Sequence, residues 1–167
     1  VLVPGTAVWE SAEAVDLDVA ILAALPGMWG LGGDLASLSA AAQGRLREAA
    51  VFYKQWRRFL TGAVAHLLTS PESLAARTGW VAVQLQHPTA ATSLVFAYRL
   101  GNAGSAPRWR LRDLDSDAVY RVRQGFAAGA SVSTATGAEL MEEGLALPAL
   151  ERGPRPNAAA VAVIEPE

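Results

Sequence analysis

Residues 80–100 read WVAVQLQHPTAATSLVFAYRL, and this stretch decides the fold class. Residues 80–86 follow a period of two, in which successive side chains would point to opposite faces of a strand. Residues 93–100 form a second run rich in apolar and aromatic side chains, as is typical of strands. Residues 87–92 contain the proline and small polar residues of a turn. The stretch therefore predicts two strands joined by a short connection.

The same period of two recurs further along the chain and extends this prediction to a whole sheet. Further strands are predicted at residues 109–114, 119–123 and 159–164, separated by turn-forming segments at 101–107 and 115–117. Short strands at such intervals with tight connections favour an antiparallel sheet or sandwich.

Helical periodicity dominates the part that comes before this sheet. Residues 14–25 place apolar side chains on one stripe. A longer amphipathic helix is predicted from Ser39, a suitable N-cap, to about Thr61. We therefore predict an α+β chain with a mostly helical segment at residues 1–62 and an antiparallel β-sandwich domain at residues 63–167.

Composition excludes several classes of protein. The chain of 167 residues has no cysteine, which excludes disulfides, cysteine nucleophiles and thiolate metal sites. A net charge of −2 argues against a nucleic-acid partner or a polybasic membrane-surface protein. No apolar run has the 18 or more residues of a spanning helix. The composition predicts a soluble protein with no membrane partner. The compartment stays open, with the cytoplasm favoured.

Two motifs offer binding chemistry, and each has a simpler interpretation. Asp113, Asp115 and Asp117 are spaced like the start of a calcium loop, but Ala118 and Gln124 replace the glycine and glutamate that such a loop needs, so a polar turn is predicted. A row of arginines could hold an anion, but the alternation favours a solvated sheet face. The row comprises Arg108, Arg110, Arg112, Arg121 and Arg123.

No catalytic centre can be assembled from spacing. The two histidines, His66 and His87, lack a signature that links them. A glycosidase needs two carboxylates that flank one bond. The available carboxylates stand in no distinguishing arrangement; they are Glu10, Glu13, Asp16, Asp18, Glu142 and Glu143. We predict no catalytic residue, no metal site and no cofactor.

The order of several short motifs is more informative than any one of them. The motifs are DVAILAALPGMWGLGGDLASLS (18–39), AVFYKQWR (50–57), HLLTSP (66–71), WVAV (80–83), AYRL (97–100), RLRDLDSDAVYRV (110–122) and GAELMEEGLALP (137–148). In this order they resemble the carboxyl-terminal region of bacterial α-galactosidases of glycoside hydrolase family 36. The resemblance covers nearly the whole chain from Val15.

The resemblance implies a remnant of the end of a (β/α)8 barrel followed by a β-sandwich. Residues 18–20 would lie in a late barrel helix, residues 30–35 would approximate the eighth barrel strand, and residues 39–60 would form the last helix. Strands from about Leu67 onward would form the sandwich. Residues 124–136 depart from the family's pattern, because this segment is unusually small and flexible. The two catalytic aspartates of the family belong to motifs upstream of this region, so none is carried over.

The functional prediction is a noncatalytic carboxyl-terminal part of a retaining, α-galactosidase-like enzyme that closes and stabilises the catalytic barrel. The barrel of the parent protein is the predicted partner, with a homo-oligomer as a further possibility. Trp29 is the predicted sugar contact, with core packing as its alternative. Separated from a barrel, Leu22, Leu25, Trp29 and Leu31 would be exposed. A carbohydrate-binding module and an oligomerisation domain are the alternative functions.

Overall fold

The computed structural model describes residues 17–70, 78–101, 103–151 and 156–167. The helices are α1 (Leu17–Ala24), α2 (Ala40–Gly62) and α3 (Gly137–Glu142), with 3-10 turns η1 (Leu35–Ser37) and η2 (Pro148–Leu150). The strands are β1 (Val64–Leu67), β2 (Gly79–Gln86), β3 (Ser93–Leu100), β4 (Val119–Gln124), β5 (Ser131–Thr136) and β6 (Ala158–Pro166). The predicted α+β class is confirmed: a long helix accompanies a six-stranded antiparallel sheet.

The sheet has the order β1-β2-β3-β6-β4-β5, and every neighbouring pair is antiparallel. The last strand of the chain, β6, therefore lies in the middle. Residues 160–164 of β6 are all buried. A central strand covered on both faces reads as a continuous apolar run, which explains the sequence AAAVAVI at its start.

One face of the sheet is covered by the helices, and we call it the helix face. Leu85, Phe96 and Val163 point from β2, β3 and β6 into a core that they share with Phe52 and Trp56 of α2. The predicted long helix is confirmed at Ala40–Gly62. Its N-cap is Ser39, whose hydroxyl accepts a hydrogen bond from the amide of Ala42 at 3.2 Å.

The opposite face, the loop face, is covered by irregular chain. Trp109, Leu111 and Leu114 point into the core beneath it, together with Leu140 and Leu150 from α3 and η2. The prediction of a strand at residues 109–114 is wrong, because only Trp109 forms a bridge, with Leu145. Within the described residues the second layer of the predicted sandwich is therefore loop and short helix, and there is one sheet rather than two.

The four apolar residues predicted to be exposed in the helical segment are buried or partly buried in the structure. Leu22 and Leu25 are 2% and 0% exposed, and Trp29 and Leu31 are partly buried against the same core. The predicted exposure of these four residues is wrong because α1 and the loop after it lie on α2 and the sheet. Residues 30–35 form no named strand in the described part, so the barrel remnant is not seen.

The predicted boundary at residues 62 and 63 coincides with the end of α2 at Gly62. The helices share one apolar cluster with β2, β3 and β6 across that boundary. The division into two domains stays a prediction, which cooperative unfolding tests: two domains would unfold in separate transitions, and one shared core would unfold in a single transition.

Candidate functional site

Trp29 lies against α2 rather than free in solvent. Its backbone amide donates to the hydroxyl of Tyr53 at 3.3 Å, and the two rings are tilted with centroids 5.7 Å apart. The indole Nε1 of Trp29 is buried and has no hydrogen-bond partner. Its neighbour Met28 is 90% exposed. The ring is thus positioned by packing, and its edge is held next to an exposed loop.

An apolar groove adjoins this loop where η1 crosses the first half of α2. We call it the η1–α2 groove. Leu31 and Leu35 form one wall, Leu46 and Ala50 form the other, and the side chain of Arg47 stands at its rim. The groove encloses about 330 Å³. An open apolar groove of this kind is a surface on which another polypeptide segment could pack.

A charged cluster joins α1 to α2. The guanidinium of Arg45 donates to both carboxylate oxygens of Asp18 at 2.5 and 2.6 Å, and to Glu48 at 2.9 Å. It also stacks 3.9 Å above the ring of Phe126. The hydrogen bonds that Arg45 donates to Asp18 raise the pKa of Arg45 above its ordinary value. Asp18 is therefore engaged in holding the helices together rather than free for chemistry.

Beside this cluster a second cleft of about 220 Å³ lies between the helices and the sheet. Arg45, Phe126 and Gln124 line it, with Ser131 and η2 on the far side. The charged side chains that face this cleft form ion pairs with each other or with a neighbouring side chain, so they offer little to a charged ligand.

The aspartate motif forms a turn, as predicted. The amide of Asp117 donates to the carboxylate of Asp115 at 3.0 Å, and the amide of Asp115 donates to the Tyr120 hydroxyl at 3.0 Å. Asp113 adopts a φ of 54°, a conformation that aspartate tolerates better than most residues. Among the described residues no group of three histidine or acidic side chains is arranged to hold a metal ion.

The arginine row is split by the fold. Arg108, Arg110 and Arg112 are exposed on the loop, and Arg121 is exposed on β4. Arg121 lies 3.6 Å from Glu165, and Arg108 donates to the carbonyl of Glu143 at 3.0 Å. The solvated interpretation fits these positions, although the first three residues belong to a loop rather than to a strand.

The histidines lie in separate surroundings. His66 Nε2 is 3.7 Å from a carboxylate oxygen of Asp113, whereas His87 contacts Phe59 and Thr89 near the end of α2. Glu142 and Glu143 lie at the end of α3, and Glu10, Glu13 and Asp16 fall outside the described residues. The structure thus brings none of the predicted carboxylates together as a pair within its described part.

Sequence reasoning missed the role of Gln84, which is fully buried on β2. Its side-chain amide donates to the carbonyl of Arg112 at 2.9 Å and accepts from the amide of Arg112 at 2.8 Å. It therefore substitutes for a neighbouring strand and fixes the loop onto the sheet. The available signal was a polar residue on the same face as Trp80 and Ala82, where alternation requires burial.

We expect Gln84→Leu to lower the free energy of unfolding by about 2 kcal/mol, because it leaves the amide and carbonyl of Arg112 without this partner. Chemical denaturation of both proteins measures the difference. Gln86→Leu is the matched control, since Gln86 makes one hydrogen bond to the carbonyl of Asp113, at an exposed site. Equal losses for the two variants would contradict the assigned role.

Tyr98 joins β3 to α1 through its hydroxyl, which donates to the carbonyl of Leu22 at 2.7 Å. Burial raises the pKa of this hydroxyl above its ordinary value. The folded state therefore prefers the protonated phenol, and the stability that it confers is present below the unfolded pKa of about 10 and is lost as pH rises above it.

We expect Tyr98→Phe to be about 1 kcal/mol less stable than the unmodified chain at neutral pH, since one hydrogen bond is lost. The difference in stability between the unmodified chain and Tyr98→Phe should narrow above a pH of about 10. Only the unmodified chain has a buried phenol that must stay protonated there. Denaturation at several pH values checks this. A gap that stays constant through the alkaline range would contradict the prediction.

No helix in the described ranges combines the length and the hydropathy needed to cross a membrane.

The comparisons with known proteins agree with the fold. Residues 80–162 match the family model of the glycosyl hydrolase family 36 C-terminal domain. The structure matches the α-galactosidase AgaA of Geobacillus stearothermophilus with a TM-score of 0.73 at 23% identity, over 92% of this chain and 20% of that one. AgaB of the same organism gives 0.72 at 22%, with the same coverage. The Lactobacillus brevis α-galactosidase gives 0.70 at 18%, over 88% and 19%. No curated protein sequence gives a significant match.

The structural matches show the fold, and the family model adds the family. The molecule is an α+β protein in which helices cover one face of a six-stranded antiparallel sheet. It contains the C-terminal domain of glycosyl hydrolase family 36. The resemblance found in the sequence motifs is thereby confirmed. The chain spans 19–20% of the length of the α-galactosidases whose structures it matches.

Proposed function

We propose that this chain is the noncatalytic carboxyl-terminal part of a retaining, α-galactosidase-like glycoside hydrolase, and that it closes and stabilises the catalytic barrel of its parent. The observation that carries the proposal is the coverage: nearly the whole chain matches a fifth of each related enzyme. In the complete protein, upstream residues would cleave terminal α-galactosides by double displacement.

The surface of the helical segment supports this role. The η1–α2 groove is open, and leucines and alanines line most of it, together with Gln43 and Arg47. Met28 at 90% and Val51 at 67% exposure lie on the same segment of the chain. An open groove with apolar walls, accompanied by exposed apolar side chains, is typical of a surface that a partner covers. The natural partner is the part of the parent protein that lies outside this chain.

Several acidic side chains of the described part are engaged in structural contacts. Asp18 is bound to Arg45, and the aspartates of residues 113–117 are used in a turn. A retaining glycosidase needs two carboxyl groups about 5–5.5 Å apart across the scissile bond. In the proposed role the chain acts on catalysis through the position of the barrel, and the upstream part of the parent supplies these two carboxyl groups.

Co-expression of the upstream part of the parent polypeptide with this 167-residue chain tests the proposal. We expect hydrolysis of a p-nitrophenyl α-galactoside by the pair, and little or none by either polypeptide alone. Robust cleavage by the 167-residue chain alone would overturn the noncatalytic assignment. An upstream part that is equally active and equally heat-stable without the chain would overturn the stabilising role.

Variants of the groove locate the contact. Ala50→Asp places a carboxylate in the η1–α2 groove, where docking would bury it unpaired, so about tenfold more chain should be needed for the same activity. Gln55→Asp is the matched control, since it changes the charge by the same amount at an exposed site on α2. Equal effects of the two variants would place the contact elsewhere.

Trp29 remains our predicted sugar contact, because it is held beside the exposed loop that precedes the groove. In the assembled enzyme Trp29→Ala should raise KM for the galactoside, and Trp29→Phe should restore much of the affinity. A structural role alone would reduce heat stability and leave KM unchanged. That result would assign Trp29 to core packing and not to sugar binding.

The carbohydrate-binding module is the weaker alternative. Phe96, Trp109 and Tyr120 are 0–2% exposed, and Trp80 and Tyr98 are partly buried. None of these five aromatic side chains therefore offers an open stacking platform for a sugar. Binding of the isolated chain to galactosides or polysaccharides, measured by calorimetry, would favour this alternative.

A further inference from the structure

The strand β5 ends the sheet with an outer edge that no other strand covers in the described part of the chain. It pairs only with β4 and is the last strand in the sheet order. Its residues 131–134 are exposed. An edge of this kind carries free amides and carbonyls, and monomeric proteins usually protect it with charges, proline or a bulge. The sequence SVSTAT has neither charge nor proline.

The free edge has a defined centre. The amide of Thr136 is already used, because it donates to the carboxylate of Glu139 at 2.8 Å in the cap of α3. The stretch available for outward pairing is therefore residues 131–135. Its midpoint is Ser133, which is exposed.

We propose that β5 pairs antiparallel with β5 of a second copy of this chain, about a two-fold axis at Ser133, and so joins two six-stranded sheets into one. In this register Val132 faces Thr134 of the second copy on the helix face, and Ser131 faces Ala135 of the second copy on the loop face. Each residue lies on the same face of the sheet as its partner, as antiparallel pairing requires.

The second copy fits this edge better than a charged partner does. Because β5 has no charge, self-pairing brings no like charges opposite each other. Pairing also covers Val132, which is 58% exposed. Arg123 of β4 would lie about 14 Å from Arg121 of the second copy across three strand spacings, beyond the screening length at physiological salt. The interface of five residues per copy is small, so the dimer should depend on concentration.

The lack of cysteine makes a sharp test possible. Residues opposite each other in an antiparallel pair have Cα atoms about 4.5–5.5 Å apart, within the range that a disulfide spans. Ser133→Cys should therefore form a disulfide-linked dimer on mild oxidation. Ser131→Cys is the matched control on the same strand and face, and its two thiols would be about 13 Å apart along the strands. It should cross-link far more slowly.

Sedimentation equilibrium of the unmodified 167-residue chain provides an independent measurement. We expect a monomer–dimer equilibrium that Ser133→Lys shifts to monomer, while Ala65→Lys, on the exposed opposite edge strand β1, leaves it unchanged. Circular dichroism verifies that both variants fold. A chain that is monomeric at all concentrations overturns the proposal. Equal cross-linking of the two cysteine variants also overturns it. So does a result in which Ala65→Lys, but not Ser133→Lys, loses the dimer. The result does not depend on galactosidase activity, so it can fail while the proposed function stands.

Discussion

Phe96→Ala is expected to lower the free energy of unfolding by about 3–5 kcal/mol, the usual cost of removing a fully buried phenylalanine. Phe96 is 0% exposed and lies at the centre of the helix face, in one cluster with Phe52, Trp56 and Val163. The cavity left behind would separate α2 from the sheet over part of their contact. Urea or thermal denaturation, followed by circular dichroism, measures the loss.

Val51→Ala is the matched control for this prediction, because it also shortens an apolar side chain, but at a residue of α2 that is 67% exposed. It should change the stability by less than about 0.5 kcal/mol, as surface substitutions do. If Phe96→Ala cost no more than Val51→Ala, the shared core between the helices and the sheet would be disproved. Since that core crosses residues 62 and 63, the same experiment bears on the two-domain prediction.

Gly137→Ala is expected to cost about 3 kcal/mol, at the upper end of what overpacking does. Gly137 begins α3 and is buried, and its amide donates to the carbonyl of Ala118 at 2.9 Å. A Cβ atom there would overlap the carbonyl oxygen of Asp115 and stand 2.7 Å from its carbonyl carbon. These are backbone atoms, so the aspartate turn itself would have to move. Denaturation again measures the effect.

Gly129→Ala provides the comparison, since no atom lies within 4 Å of a Cβ at that position. It should be neutral or slightly stabilising, because alanine restricts the unfolded chain more than glycine does. A stable Gly137→Ala protein would mean that α3 and the turn at residues 113–117 are not packed as the structure has them.

The prediction of the fold succeeded where a pattern is generated by one element and its environment. The amphipathic pattern of α2 and its serine cap depend on neighbours three and four residues away, and both are present in the structure. The same holds for β2, β3, β4 and β6, whose predicted bounds agree with the structure to within about two residues at each end.

The prediction failed where two different structures produce the same pattern. Residues 108–112 alternate between exposed and buried as a strand would, but they run over the loop face and bond to the side chain of Gln84. Any extended chain lying flat on a core buries every second side chain. Conversely, β5 was expected to be a flexible segment because its residues are small and uncharged, and only its pairing with β4 makes it a strand.

The features of the candidate site also fall into those that the sequence predicts and those that only the structure shows. Motif order predicted the family, because it follows from residue identity alone, and the noncatalytic role stays a prediction. The η1–α2 groove, the cluster around Arg45 and the free edge of β5 could not be predicted, since each depends on segments far apart in the sequence.

The sequence by itself therefore determined four of the six strands, the long capped helix and the family relationship, since periodicity and motif order are local properties of a chain. The tertiary structure alone decided that β6 enters between β3 and β4, that loops instead of a second sheet cover one face, and that Leu22 and Leu25 are buried. The physical reason is that strand pairing and burial depend on which distant segments exclude water from each other. The free energy of such a contact depends on both segments together, so neither segment alone predicts it.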